Sequence, residues 1–436
     1  MEIVCSLVYI LVFLFVIKKW SFFRCAGIRF QSLSFVFLLK IAFSYLLYFI
    51  YENYYGYQSD SYQYFKDAQF IFHEFNQSPK ALLSIISSIG YSDIEYEQVL
   101  KKTAFWFKEF DHGLYNDNRT LIRLNVIFSL FSFGYYKVHL IFMCFITFLG
   151  LTAIYKTFYS YLKEAKNFLF VAVFLVPSVL FWGSGIFKEG IVITALGILF
   201  YALQKHLSYK RTLKNSFLLI AAILILLSIK IYVFLCLIPF IVFFLFFKNS
   251  NQHLLIKFAV IHIVCITIAF NLKHIDNGLD IPQYFVMKQG DFLNQSSGEN
   301  FQHFYNVSKI ENNLGSFIMA SPKAILATIF KPFIWEANTV FKIMCSIENL
   351  IVFILPVLLV FLFRRKKIDG KIWVYGLFSF VVLLFVIIGL TVPVSGAMVR
   401  YKTPAIPFML VLFLLLIDQQ KISKTKWGDK INSLLI

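Results

Sequence analysis

The segment NSFLLIAAILILLSIKIYVFLCLIPFIVFFLFF, residues 215–247, sets the class of fold, because this apolar run contains a single charged residue, Lys230. As one continuous α-helix the run would be about 50 Å long, whereas the hydrocarbon core of a bilayer is about 30 Å thick. Lys230 divides it into two halves of similar length. We therefore predict a helical hairpin with its turn at Lys230, in an integral membrane protein.

The composition of the whole chain favours the same class. Of its 436 residues 59% are hydrophobic and 15% are charged, whereas soluble domains carry about 25% charged residues. Gly183 and Gly185, followed by Lys188 and Glu189, interrupt a second long apolar run, and we predict a turn there. The sequence thus predicts an all-α integral membrane protein with about eleven transmembrane helices, near residues 3–17, 31–51, 138–156, 167–185, 190–204, 215–229, 231–247, 255–272, 341–363, 372–391 and 402–418.

Loop charges orient these helices. With eleven spans, one side receives the basic loops, among them 18–29, 205–214 and 364–371, and the tail from Asp418, and Lys and Arg are more than twice as dense there as on the other side. The positive-inside rule makes that side the cytoplasm. We expect a single polytopic domain, 1–436, in a bacterial inner (plasma) membrane, with its N-terminus outside and its C-terminus cytoplasmic. The net charge of +18 then reflects topology, and no nucleic-acid partner is expected.

Two long polar segments, 52–137 and 273–340, fall on the outer side. The first contains two amphipathic pieces, Phe65–Phe75 and Leu121–Phe133, which predict juxtamembrane helices lying on the bilayer surface. The second has turns rich in Asn, Gly and Gln, followed by an apolar stretch, Ala324–Phe333. Charge is unfavourable near a bilayer, so ionisable residues at helix ends beside these loops are the first candidates for function.

Two such positions lie in the first half of the chain. Asp60 and Tyr64 directly follow the second predicted helix; Asp60 is either an N-cap or a catalytic or binding carboxylate, and both roles are compatible. Lys188 and Glu189 lie in a predicted very short outer hairpin. They form either an ion pair on a solvated turn, or a lysine that faces a lipid phosphate and a glutamate that orients it.

Two further positions lie nearer the C-terminus. Arg400, Tyr401 and Lys402 open the last predicted helix, either as an interfacial anchor or as a phosphate site, since Arg binds phosphate bidentately. Glu348, inside the start of another helix, requires a partner. His and Cys residues lack metal-ligand spacing, so no metal site and no cofactor is indicated.

These features together resemble the GT-C glycosyltransferases, which are multi-helix membrane enzymes such as the protein mannosyltransferases and the lipid A aminoarabinose transferases. In that superfamily an acidic residue shortly follows a transmembrane helix, and Ser59–Tyr64 is similar to that site. An Arg-Tyr-x-x-Pro start to a late helix also recurs there, matched by Arg400, Tyr401 and Pro404. Asp60 lacks the second acidic residue of the family's paired motifs, and helix 3–17 is additional.

The resemblance implies transfer of a sugar from a polyprenyl-phosphate donor to a glycan, lipid or protein acceptor on the outer face. Asp60 would act as base, Lys188 and Arg400 would hold the phosphate, and Lys230 and Lys402 would assist. Two other interpretations stay open. One is an O-antigen-like polysaccharide polymerase, although the second outer loop contains no Arg. The other is a lipid or solute transporter, which often shows inverted repeats and broken helices.

Overall fold

A computed structural model describes residues 1–54, 59–90, 92–107, 116–208, 212–248, 250, 252–296, 305–337, 340–363 and 370–423. Among the residues outside this part of the chain are 55–58, shortly before Asp60, residues 364–369 of the basic loop 364–371, and the tail 424–436. Within it the secondary structure is helical: α1 Glu2–Lys19, α2 Phe30–Tyr54, α3 Asp60–Phe75, α4 Pro79–Ser87, α5 Asp93–Leu100, α6 Asp117–Ser132, α7 Tyr136–Phe158, α8 Lys166–Phe174, α9 Pro177–Trp182, α10 Lys188–Ser208, α11 Leu213–Ile229, α12 Ile231–Phe247, α13 Leu254–Asn271, α14 Ile281–Ser296, α15 Leu314–Phe330, α16 Val340–Leu362, α17 Lys371–Thr391, α18 Ser395–Lys402, α19 Ile406–Leu416 and α20 Gln419–Ser423.

Several of these helices are suited to a bilayer. Within the described ranges, five helical stretches are long and apolar enough to cross a membrane, namely Phe30–Asn53, Tyr136–Phe158, Leu254–His274, Lys371–Thr391 and Ser395–Leu416. Helices α11, α12 and α15 are shorter apolar helices. Helix α13 exposes Leu255, Ile256 and Ile263, each by more than 60%. An apolar surface of this extent is unfavourable in water, so the helices indicate a membrane protein.

The chain divides into two compact units. Unit 1 comprises residues 1–157 and 179–231, and unit 2 comprises residues 158–178 and 232–434. Unit 1 therefore contains α1 to α7, α10 and α11, and unit 2 contains α8 and α12 to α20. The boundary passes through α9.

In unit 1, α7 and α10 cross at glycine residues. A Cβ atom at Gly197 would overlap the carbonyl oxygen of Gly150, and a Cβ at Gly150 would overlap the backbone of Thr194. Thr194 donates a hydrogen bond to the carbonyl of Ile146, 2.9 Å away. Small residues let helix backbones approach this closely inside a membrane, where packing replaces the hydrophobic driving force.

We expect Gly197→Ala to push α10 away from α7 and to lower the stability of the protein by about 1–3 kcal/mol, the usual cost of overpacking. Gly290→Ala on α14 is the matched control, because nothing lies within 4 Å of a Cβ there. Thermal unfolding of both variants in the same detergent provides the measurement. Equal midpoints for the two variants would show that the crossing tolerates a methyl group.

In unit 2, α15 packs against α17. The carbonyl of Ala324 lies where a Cβ of Gly389 would be, and the Thr328 hydroxyl donates to the carbonyl of Phe385 at 2.8 Å. The predicted outer loop 273–340 is therefore not only loop. Its apolar stretch belongs to α15, which begins ten residues earlier than Ala324, at Leu314, and packs against a helix long enough to span a bilayer.

Helix ends test the sequence prediction directly. The break at Lys230 is confirmed, since this residue leaves the helical region with φ −148° and ψ 82°. The single helix 167–185 is wrong: α8 ends at Phe174 and α9 begins at Pro177, because proline has no N–H to continue the hydrogen-bond ladder. The last helix begins at Ser395 and not at Lys402, with a 3₁₀ turn at Thr403–Ala405.

Candidate functional site

Helix α3 places Asp60 and Tyr64 on one face. The N-cap is Ser59, whose hydroxyl accepts a hydrogen bond from the Tyr62 N–H at 3.3 Å. The capping role considered for Asp60 therefore belongs to its neighbour. Asp60 is the first helical residue and is half-buried. Residues four apart on a helix have their Cβ atoms about 6 Å apart, so Asp60 lies one turn from Tyr64.

The start of α6 brings Tyr64 and Lys188 together. Asn118 Oδ1 accepts from the Tyr64 hydroxyl at 3.0 Å and from Lys188 Nζ at 2.7 Å. Lys188 Nζ also forms an ion pair with Asp117 Oδ2 at 2.7 Å and lies 5.9 Å from the centroid of the Tyr64 ring. We call Tyr64, Asp117, Asn118 and Lys188 the Lys188 cluster.

Sequence reasoning did not single out Asp117 and Asn118 as site residues. Asn116 caps α6, its side chain accepting from the Asn118 N–H at 3.1 Å, and this N-cap fixes both following side chains. A signal was present in the sequence, because an Asn-Asp-Asn run at 116–118 ends two residues before the amphipathic stretch Leu121–Phe133 begins. That pattern predicts a helix start facing the same outer side as Asp60.

Asp67 lies on α3 about two turns after Asp60. It fixes the loop between α5 and α6. Its carboxylate accepts from the N–H groups of Ala104 and Phe105 at 3.0 and 2.8 Å. Burial raises the pKa of Asp67 above its usual value, and the two N–H groups oppose that rise. Asp67 is 3% exposed, so its role is structural.

The turn before Lys188 is buried, which is contrary to the alternative of a solvated turn. Every residue from Gly183 to Glu189 is buried. Lys40, near the middle of α2, donates to the Gly183 carbonyl at 3.1 Å and to the Ser184 hydroxyl at 3.0 Å. Gly190 lies against Thr147, near the middle of α7. Irregular backbone at such a depth is stable only when protein groups satisfy its polar atoms.

Glu189 and Lys230 form a pair inside unit 1. Lys230 Nζ lies 2.7 Å from Glu189 Oε1, and the two side chains are 4% and 0% exposed. The alternative of an ion pair between Lys188 and Glu189 on the turn is thus replaced by two separate pairs. The end of α11 is held beside α6, since Thr120 donates to the Ser228 carbonyl at 2.9 Å.

Unit 2 contains the remaining candidates. Because the helix starts at Ser395, Arg400 and Tyr401 lie in its second turn, both half-buried. Lys402 is buried and donates to the Thr328 carbonyl at 2.9 Å and to Asn349 Oδ1 at 2.8 Å. Phosphate binding by Lys402 would require these bonds to break.

Glu348 has the partner that its position requires. Its carboxylate accepts from the Ser178 N–H and from the Ser178 hydroxyl, both at 2.8 Å. The two hydrogen bonds tie α16 to the start of α9 within unit 2. Glu348 therefore has a structural explanation, and sequence reasoning was right only in expecting a partner.

The structure thus describes two groups of candidates. Asp60, Tyr64, Lys188, Glu189 and Lys230 belong to unit 1, whereas Arg400, Tyr401 and Lys402 belong to unit 2. Among the described residues no group of three or more His, Cys, Asp or Glu side chains is placed to hold a metal ion. The first group offers a half-buried carboxylate one turn from a tyrosine that is coupled to an ammonium, which suits proton transfer beside a bound anion.

Comparison with known proteins gives no match: no protein-family model, no curated protein and no solved structure shows significant similarity to the chain.

Proposed function

We propose that the chain is a multi-pass glycosyltransferase, with about eleven spans and an external N-terminus, that moves a sugar from a polyprenyl-phosphate donor to a glycan, lipid or protein acceptor. The Lys188 cluster is the observation that carries this proposal. In this cluster the Asn118 amide oxygen accepts from both the Lys188 ammonium and the Tyr64 hydroxyl. Asp60 lies one helical turn before Tyr64 on α3. A base and a cation close together are what this transfer needs.

The chemistry assigns a task to each group. The acceptor hydroxyl attacks the anomeric carbon of the sugar, its proton passes to the Asp60 carboxylate, and the bond between the anomeric carbon and the phosphate oxygen breaks. The phosphate leaves as an anion and needs no general acid, while Lys188 stabilises the charge that develops on it. General-base catalysis of this kind contributes about 10²–10⁴-fold in rate.

Asp117 affects how Lys188 would bind a phosphate. In the absence of a phosphate, the Asp117 carboxylate at 2.7 Å balances the ammonium charge. A lipid phosphate that binds there competes with Asp117 or shares Lys188 with it, since an ammonium has three donors. Arg400 and Tyr401 belong to unit 2, and we propose that they bind lipid phosphate within that unit.

Asp60→Asn is expected to lower the rate of sugar transfer at least about 100-fold, because the amide cannot accept the proton. The assay follows transfer from a radiolabelled polyprenyl-phosphate sugar in proteoliposomes of the full chain. Glu74→Gln, at an exposed position near the other end of α3, is the matched control and should retain the wild-type rate. Equal rates for Asp60→Asn and wild type would remove Asp60 as the base.

Transport of a lipid or solute is the second candidate, and the buried turn Gly183–Phe187 favours it. Transporters place such broken helices near the bilayer midplane, and this turn lies beside the middle of α2 and α7. The two functions differ in product. A labelled lipid-linked sugar that crosses the proteoliposome membrane with its sugar–phosphate bond intact supports transport, whereas cleavage of that bond supports transfer.

A further inference from the structure

Helix α14, in the second predicted outer segment, has two distinct faces. On one face Gln289 donates to the Leu390 carbonyl at 2.6 Å and to the Ser308 carbonyl at 3.0 Å, and Phe285 is buried. The other face carries Tyr284, Lys288 and Phe292 at positions i, i+4 and i+8, which align along a helix. The first face anchors α14 to the end of α17, and the second is therefore held in a fixed position.

The second face meets tyrosines from two other helices. Lys288 Nζ lies 3.9 Å from the ring centroid of Tyr232 on α12, 5.9 Å from that of Tyr284 and 6.0 Å from that of Tyr401 on α18. The Phe292 ring lies 6.4 Å from the Tyr401 ring. We call Tyr232, Tyr284, Lys288, Phe292 and Tyr401 the Lys288 cluster.

The cluster can be reached from outside the fold. Lys288, Tyr284 and Tyr401 are half-buried, whereas Tyr232 is only 4% exposed. The rings hold the ammonium by cation–π contacts. Arg400 directly precedes Tyr401 and is also half-buried, so a second cation belongs to the same region of unit 2.

We propose that the Lys288 cluster, together with Arg400, is a binding site for a phosphate monoester at the head of a lipid. Lys288 supplies a point charge and Arg400 a planar fork, a combination suited to phosphate oxygens. Asp291, three residues after Lys288 on α14, adds a nearby negative charge that limits affinity. The inference rests on the proposed function, because polyprenyl monophosphate, the phosphate monoester that the transfer releases, is the lipid that would bind at this site within unit 2. Sequence reasoning had considered Arg400 and Tyr401 but not Lys288.

The test measures binding separately from transfer. The full chain in nanodiscs is titrated with polyprenyl monophosphate, and the dissociation constant is determined by native mass spectrometry. Lys288→Met should weaken binding at least about tenfold, which corresponds to the loss of one charge-assisted hydrogen bond. Lys288→Arg should retain most of the affinity, and Asp291→Asn should increase it. Lys309→Met, at an exposed position of the same segment, is the control and should bind like wild type.

Two further ligands identify the chemistry that is recognised. The corresponding polyprenol, which lacks the phosphate, should bind weakly and equally to wild type and Lys288→Met. Inorganic phosphate at millimolar concentration should compete if the site recognises phosphate alone, and failure to compete shows that the lipid chain is also required. Either result supports the site if Lys288→Met weakens binding of polyprenyl monophosphate, whereas polyprenol that binds wild type as tightly as the monophosphate overturns the proposal.

The proposal is overturned if wild type does not bind polyprenyl monophosphate, or if Lys288→Met binds it as tightly as wild type. Thermal unfolding of each variant confirms folding, and Lys288→Gln replaces Lys288→Met if the latter does not fold. If Lys288→Met loses binding and the wild type transfers no sugar, the binding site is supported and the proposed transferase activity is refuted. If the wild type transfers sugar and Lys288→Met binds normally, the transferase activity is supported and the binding site is refuted.

Discussion

Glu189→Gln is expected to lower the free energy of unfolding by about 3–5 kcal/mol, the usual cost of leaving one partner of a buried ion pair without its counter-charge. The Glu189 side chain is 0% exposed and that of Lys230 is 4% exposed, with 2.7 Å between Oε1 and Nζ. Neither charge is well placed to recover its lost interaction from water. Denaturation with SDS in mixed micelles gives the measurement.

A double-mutant cycle separates the pair from each residue alone. Lys230→Met should also destabilise the protein, but Glu189→Gln combined with Lys230→Met should cost less than the sum of the two, because no charge is then buried alone. Glu97 and Lys101 provide the matched control pair, also at 2.7 Å but 43% and 64% exposed. Their coupling should be about 0.5 kcal/mol or less.

The same cycle tests the substrate-binding roles that the sequence analysis predicts for Lys230 and Glu189. A structural pair changes stability and leaves the affinity for a lipid phosphate nearly unchanged in variants that fold. A large loss of affinity with normal stability would contradict the structural assignment and would place both residues at the substrate.

Lys402→Met should be the second strongly destabilising substitution, at about 2–4 kcal/mol, because it leaves buried acceptors without a donor. Lys402 Nζ lies 2.9 Å from the Thr328 carbonyl and 2.8 Å from Asn349 Oδ1, with the Lys331 carbonyl at 3.4 Å. The ammonium thus holds the C-terminal end of α15, where positive charge is favourable. Unfolding in mixed micelles measures the loss.

Lys323→Met is the control for this prediction, since Lys323 lies on the exposed face of α15 and should change stability by less than about 0.5 kcal/mol. If Lys402→Met is as stable as wild type but binds lipid phosphate poorly, the structural role of Lys402 is contradicted. The sequence-based prediction that Lys402 binds the phosphate would then be supported.

Hydrophobic pattern and charge predicted most helices of the fold. The break at Lys230 followed from a run too long for a bilayer, and α3 and α6 followed from their amphipathic period. The count of about eleven spans remains a prediction; in the part of the chain that the structure describes, five stretches have the length and hydropathy of a span. The helix break at Pro177 was missed, because hydropathy does not reflect that proline lacks the backbone N–H needed to continue a helix.

The site was less predictable, because partners are chosen by tertiary packing. Glu189 is paired with Lys230, 41 residues away, although Lys188 is its neighbour in sequence. The glycines of the turn Gly183–Phe187 suggested exposure, yet they allow close packing that buries it. Lys288 stands between aromatic residues on one helix face, but nothing in the sequence shows that this face meets Tyr232 and Tyr401.

The contact of Lys40 with the buried turn has a consequence for biosynthesis. A lysine near the centre of a span costs about 2.5–3.5 kcal/mol during insertion, and its acceptor at Gly183 follows 143 residues later. At about 5–20 residues per second, the ribosome needs roughly 7–30 s to reach it. During that interval α2 carries this ammonium without the Gly183 and Ser184 acceptors that it has in the folded chain.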